Sequence, residues 1–135
     1  MPAFRTDRSL PRADASAAAM SRIFAITGAL HFIRPEIFDP IVPRRLPGPS
    51  RSWTYGSGAA EFLLAGLVAS RRFRSLGGLL AACFLVAVFP ANLRTMRVVR
   101  RQPLPARLVA LARLPMQVPL IALALRVGRD DAGPR

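Results

Sequence analysis

The chain contains no lysine, and only seven acidic residues stand against its 20 arginines. The missing lysine reflects the coding bias of a GC-rich genome more than any chemistry. Cysteine occurs once, at Cys83, within "LLAACFLVAVF". One cysteine makes no intrachain disulfide and no CxxC pair, so two-cysteine thiol chemistry is excluded within one chain. Cys83 reads as a lipid-facing or helix-packing residue. Histidine also occurs once, at His31. Metal and haem sites normally need further ligands, so no metal centre is expected. Acidic residues are too few to balance the arginines, and the net charge is +13. Such a charge can mark a nucleic-acid binder. Here the arginines interrupt long apolar runs and form no separate basic domain, so no nucleic-acid partner is expected.

What is present is apolar: 52% of the 135 residues are hydrophobic. High charge and high hydrophobicity conflict in a soluble protein of this size. They fit a small membrane protein whose apolar runs cross the bilayer and whose loops carry the arginines. Four apolar segments follow one another: Ala15 to Ile33, Trp53 to Ser70, Leu76 to Leu93 and Leu108 to Val127. At about 1.5 Å per residue, segments of this length approach the thickness of a hydrocarbon core. The expectation is an all-α fold, a four-transmembrane-helix antiparallel bundle in the cell membrane. Residues 1–14 read as a flexible basic tail, 15–127 as the membrane domain and 128–135 as a second flexible tail. Met20 offers an alternative start. The Ala-Ser-Ala at 15–17 precedes the main apolar run, so a cleaved signal peptide is not expected.

The connections agree with this division. Residues 34–52 carry Pro35, Pro40, Pro43, Pro47 and Pro49 and predict an extended, ordered loop. "RRFR" at 71–74 is a tight basic turn, and 94–107 a longer basic linker. Arginines divide 10 to 9 between the two sides of such a bundle. That balance favours both termini in the cytoplasm only weakly. Trp53 and Tyr55 suit a membrane interface.

Each segment contains polar residues, and their spacing is helical. Thr27 and His31, Ser57 and Glu61, and Arg113 and Gln117 each lie four apart, while Asn92 follows Pro90 near the end of the third segment. Residues at i and i+4 share a helix face. In an up-and-down bundle His31, Glu61, Asn92 and Arg113 all fall in one half of the bilayer and should face inward. Glu61 is then the acid of a buried cluster, with Arg113 as counter-charge and His31 and Asn92 as hydrogen-bonding neighbours. Such a cluster can bind a ligand, or it can simply join helices.

The string "GALHFIRPEIFDPIVPRRLPGPSRSWTYGSGAAEF" resembles the DoxX-like family of small four-helix membrane proteins. Three motifs carry the likeness: Gly28-Ala-Leu-His31-Phe-Ile-Arg-Pro35, Pro43-Arg-Arg-Leu-Pro47 and Ser57-Gly-Ala-Ala-Glu61. "FPANLRTMR" and "ARLPMQVPLIALAL" extend it to about residue 127. The resemblance implies an accessory subunit of membrane redox metabolism, working beside membrane or peripheral oxidoreductase subunits. It allows contact with a quinone through His31, Glu61, Asn92, Arg113 and Gln117, with Phe32, Phe62 and Phe89 lining a slot for the ring. Two alternatives stay open: a small transporter or permease component using Glu61 as a proton or cation site, and a membrane scaffold without ligand.

Overall fold

The computed structural model describes residues 9–130, and every regular element among them is helical. Helix α1 spans Ser9–Ile33, α2 Pro35–Phe38, α3 Ser50–Ala69, α4 Arg74–Ala87, α5 Phe89–Val98 and α6 Leu104–Asp130. Single 3-10 turns at Asp39–Ile41 and Val99–Arg101 follow α2 and α5. Helix α1 packs on α3, α3 on α4, α4 on α6, and α6 back on α1, so four long stretches surround one interior.

Small residues bring the helices close. Ala17, Met20, Phe24, Leu64, Ala65, Val68, Ala81, Ala82, Ala124 and Val127 form the apolar half of the interior. A β-carbon on Gly78 would lie 2.5 Å from the backbone nitrogen of Gly128, so α4 and α6 touch backbone to backbone there. Close approach at small residues is how helices gain packing contacts where the hydrophobic effect does not press them together. The polar half lies towards the other end of the interior.

Among the described residues, three helical stretches are long and apolar enough to cross a membrane: Ala13–Ile33, Arg74–Arg101 and Ala110–Arg129. Helix α3 has 20 residues, but its first half, Ser50–Gly58, is rich in serine and glycine. Large apolar side chains cover the outside, among them Ile26, Leu63 and Val118, each more than half exposed.

Four expectations change in detail. The third apolar segment is not one continuous helix: it turns at Val88 between α4 and α5, where Pro90 sits in the first turn of α5 and supplies no N–H to the preceding turn. The loop at 34–52 is not merely extended, because α2 and its 3-10 turn bury Phe38 and Ile41. Residues 9–14 are helical instead of tail. Asp14 accepts hydrogen bonds from Arg74 at 2.7 Å and Arg71 at 2.8 Å, which ties the start of α1 to the turn between α3 and α4. At the other end α6 continues to Asp130, past the expected boundary at 127. Residues 1–8 and 131–135 of the two expected tails lie outside the described residues.

Candidate functional site: a carboxylate between two interior cavities

The contact between α1 and α3 sets the site. A β-carbon on Gly58 would stand 2.8 Å from that of His31, and one on Gly28 3.0 Å from the Gly58 carbonyl oxygen. Only glycine at both positions lets His31 and Glu61 approach from facing helices. The His31 Nδ1 and Glu61 Oε2 atoms are 3.5 Å apart, and both side chains are more than 90% buried.

The hydrogen bonds decide what this contact is. His31 Nδ1 lies 2.8 Å from the Thr27 carbonyl oxygen. A carbonyl only accepts, so Nδ1 carries a proton and donates it there. The carboxylate oxygen beside it lies beyond ordinary hydrogen-bond length. Glu61 Oε2 is buried with no hydrogen-bond partner among the described residues. The His31 ring stacks on Phe38, with centroids 3.7 Å apart and planes 19° from parallel. Phe38 thus brings the loop after α1 down as a plug over the polar half.

The other donors come from α5 and α6. Asn92 Nδ2 donates to Gln117 Oε1 at 2.8 Å, and Gln117 Nε2 donates to the Leu85 carbonyl. Leu85 stands in the last turn of α4, where carbonyls lose their helical donors. The break at Val88 therefore creates an acceptor that Gln117 satisfies. On α6, Pro115 and Pro119 supply no N–H to the carbonyls of Leu111 and Pro115. The Arg113 guanidinium carbon lies 5.9 Å from the centre of the Phe38 ring, within cation-π range.

Two small cavities flank Glu61. One, of about 90 Å³, is bounded by Phe24, Thr27, Leu85, Gln117 and Leu120. The other, of about 60 Å³, is bounded by His31, Phe38, Ile41, Thr54 and Ser57. Glu61, Phe84, Val88, Asn92 and Arg113 line both. All five residues expected at the site from sequence thus gather around this double cavity. The expected direct pairing does not form: Glu61 and Arg113 share the cavities, but the basic side chain within 4.0 Å of the Glu61 carboxylate is the His31 ring.

The aromatic lining also differs. Phe32, Phe62 and Phe89 are exposed, at 44%, 45% and 42%. Phe32 and Phe62 directly follow His31 and Glu61, and one residue of helix turns a side chain about 100° away from the shared face. Phe24, Phe38 and Phe84 line the interior instead. Phe24 was legible, because it lies three residues before Thr27 on the same stripe. Phe38 was not, since it arrives through a proline-rich loop. Thr54 donates to Asp39 at 2.6 Å and Arg51 to the same carboxylate at 2.8 Å, which fixes the plug to α3. Among the described residues no three of histidine, cysteine, aspartate and glutamate gather as a metal set.

Residues 20–128 match the model of the family described as Domain of unknown function (DUF8561), and the chain belongs to that family. No curated protein and no solved structure matches it.

Proposed function

We propose, for a chain whose family description assigns no activity, that it is an integral membrane protein of the DoxX-like kind whose buried Glu61 binds and releases a proton inside the bilayer. Its four long helical stretches would stand antiparallel as spans. The unpartnered Glu61 Oε2 carries the reading. A buried polar atom without a partner is rare and calls for a specific explanation. Ionisable groups at membrane depth are costly and mark proton or ion pathways. Arg113 on the same cavities disfavours a metal cation there, while a proton or a water satisfies the carboxylate without adding a like charge. Cavities of this size suit a few waters, each needing about 10–15 Å³ of such space.

The small size of these cavities favours a proton or water over a quinone ring at Glu61. An engineered apolar cavity of about 150 Å³ binds benzene. Neither space beside Glu61 reaches that, and Phe84 and Val88 wall both. In the redox setting that the DoxX-like motifs imply, the protein would serve by proton exchange at Glu61 and not by holding the ring. The same site serves a small transporter component equally well. The helix break at Val88, and the two prolines inside α6 that free carbonyls without ending the helix, lie beside the carboxylate, as non-ideal helix does at intramembrane binding sites.

Infrared spectroscopy of the protein reconstituted in lipid tests the proposal. A protonated-carboxyl C=O band that rises and falls with pH, and vanishes in Glu61→Gln, is the expected result. A spectrum unchanged by that substitution would remove Glu61 from proton exchange. Quinone recovered by lipid extraction from wild type and lost from Glu61→Gln would replace the proposal with a ring-binding site.

A further inference from the structure

Beyond the Glu61 site, the chain has an unusual charge segregation. Eleven arginines and no acidic residue occur between positions 62 and 129. Arg71 and Arg74 find Asp14 across the fold. Arg94, Arg97, Arg100 and Arg107 make no ion pair with any described residue. These four gather at one end of the molecule, where the Arg74–Arg101 apolar stretch finishes and α6 begins.

They line two grooves, one on each side of α5. The first, of about 300 Å³, runs between α5 and α6. Arg97, Arg100 and Arg107 line it together with Met96, Val99 and Leu111. The second, of about 550 Å³, runs between α5 and the loop after α2. It is lined by Arg45, Arg94 and Arg97 together with Pro43, Pro90 and Leu93. Arg97 and Met96 belong to both. Both volumes lie in or near the range of small-molecule sites, unlike the cavities beside Glu61.

We infer that these grooves hold the phosphate headgroup of an anionic phospholipid, with its acyl chains along their apolar lining residues. Guanidinium groups match phosphate oxygens with paired, charge-assisted hydrogen bonds. A free phosphate would use the arginines alone, whereas a phospholipid also covers Leu93 and Leu111, both about half exposed. Arginine clusters at the end of a membrane helix attract anionic headgroups in just this way. The inference rests on the membrane reading above and extends it to a lipid of stated charge.

The test is native mass spectrometry of the full chain released from nanodiscs of phosphatidylcholine mixed with phosphatidylglycerol. Wild type should retain phosphatidylglycerol in preference to phosphatidylcholine. The Arg94→Gln/Arg97→Gln/Arg100→Gln variant should retain it on the order of 100-fold more weakly. Arg126→Gln/Arg129→Gln, at the opposite end of α6, is the control and should retain it as wild type does. Excess inorganic phosphate should compete only weakly, because it lacks the chains. Equal retention of the two lipids by wild type, or unchanged retention by the triple variant, would overturn the inference while the protein stays membrane-embedded. Displacement by inorganic phosphate at matched concentration would mark the grooves as a phosphate site and overturn the lipid assignment. A chain that is folded and monodisperse without detergent would instead defeat the membrane reading beneath it.

Discussion

At the scale of single residues, Glu61 and Arg113 show how a shared cavity couples charges that do not touch. Among the described residues, Glu61 has only His31 as another basic neighbour, cationic only when doubly protonated, and Arg113 makes no ion pair. Neutralising one leaves the other, buried Glu61 or half-buried Arg113, with less compensation, which is damaging, while removing both can be near neutral. Glu61→Gln and Arg113→Met should therefore each lower the melting temperature in detergent. The double variant should recover part of the loss, with a coupling of about 0.5–3 kcal/mol. Strictly additive losses in that double-mutant cycle would show that the cavities insulate the two residues from each other. The i, i+4 stripes made these positions legible in advance, because Thr27–His31, Ser57–Glu61 and Arg113–Gln117 can only point one way once each segment is a helix. Which polar atoms pair was not legible. That depends on helix rotation and depth at the level of a few ångströms, and it gave Glu61 His31 as its near neighbour and gave Asn92 to Gln117.

At the scale of elements, the interior is organised by where side chains are missing. Gly78 lets α4 lie directly on α6. Gly78→Val should force the two backbones apart and cost about 1–3 kcal/mol, read as a lower melting temperature. An unchanged melting temperature would mean that the helices are not in backbone contact. Helix ends follow proline only in part. Pro90 coincides with the break at Val88, whereas Pro115 and Pro119 leave α6 continuous. A proline removes one hydrogen bond and strains one turn, and packing of the remaining turns decides whether the helix resumes on the same axis. The plug is the element that sequence periodicity could not reach. Phe38 and Ile41 lie between prolines in a segment with no helical repeat, yet both are buried over the site. Phe38→Ala should cost about 3–5 kcal/mol if the plug packs as a core element. It should also speed deuterium exchange at the amides of α3 around Glu61. Unchanged exchange at those amides would show that Phe38 does not seal the cavity.

At the scale of the whole molecule, charge and apolarity divide the surface. A broad apolar exterior includes Ile26, Leu63 and Val118, while arginine concentrates at the turns. Composition conveyed helices apolar enough for a membrane, and soluble monomers rarely expose so extensive an apolar surface. Composition also overstated the uniformity of the four segments. Three stretches are apolar enough to span by themselves, and α3 reaches the interior with a glycine- and serine-rich first half that packs on α1. The central claim is that four stretches cross the bilayer in alternation, holding Glu61 within it. Single-cysteine accessibility measures this most directly, since Cys83 is the only thiol to remove. On a Cys83→Ala background in sealed vesicles, Arg44→Cys and Gln102→Cys should react with an impermeant maleimide from one side, and Arg72→Cys only from the other. Labelling of all three from the same side would contradict the four-span arrangement and, with it, the placement of Glu61 in the bilayer.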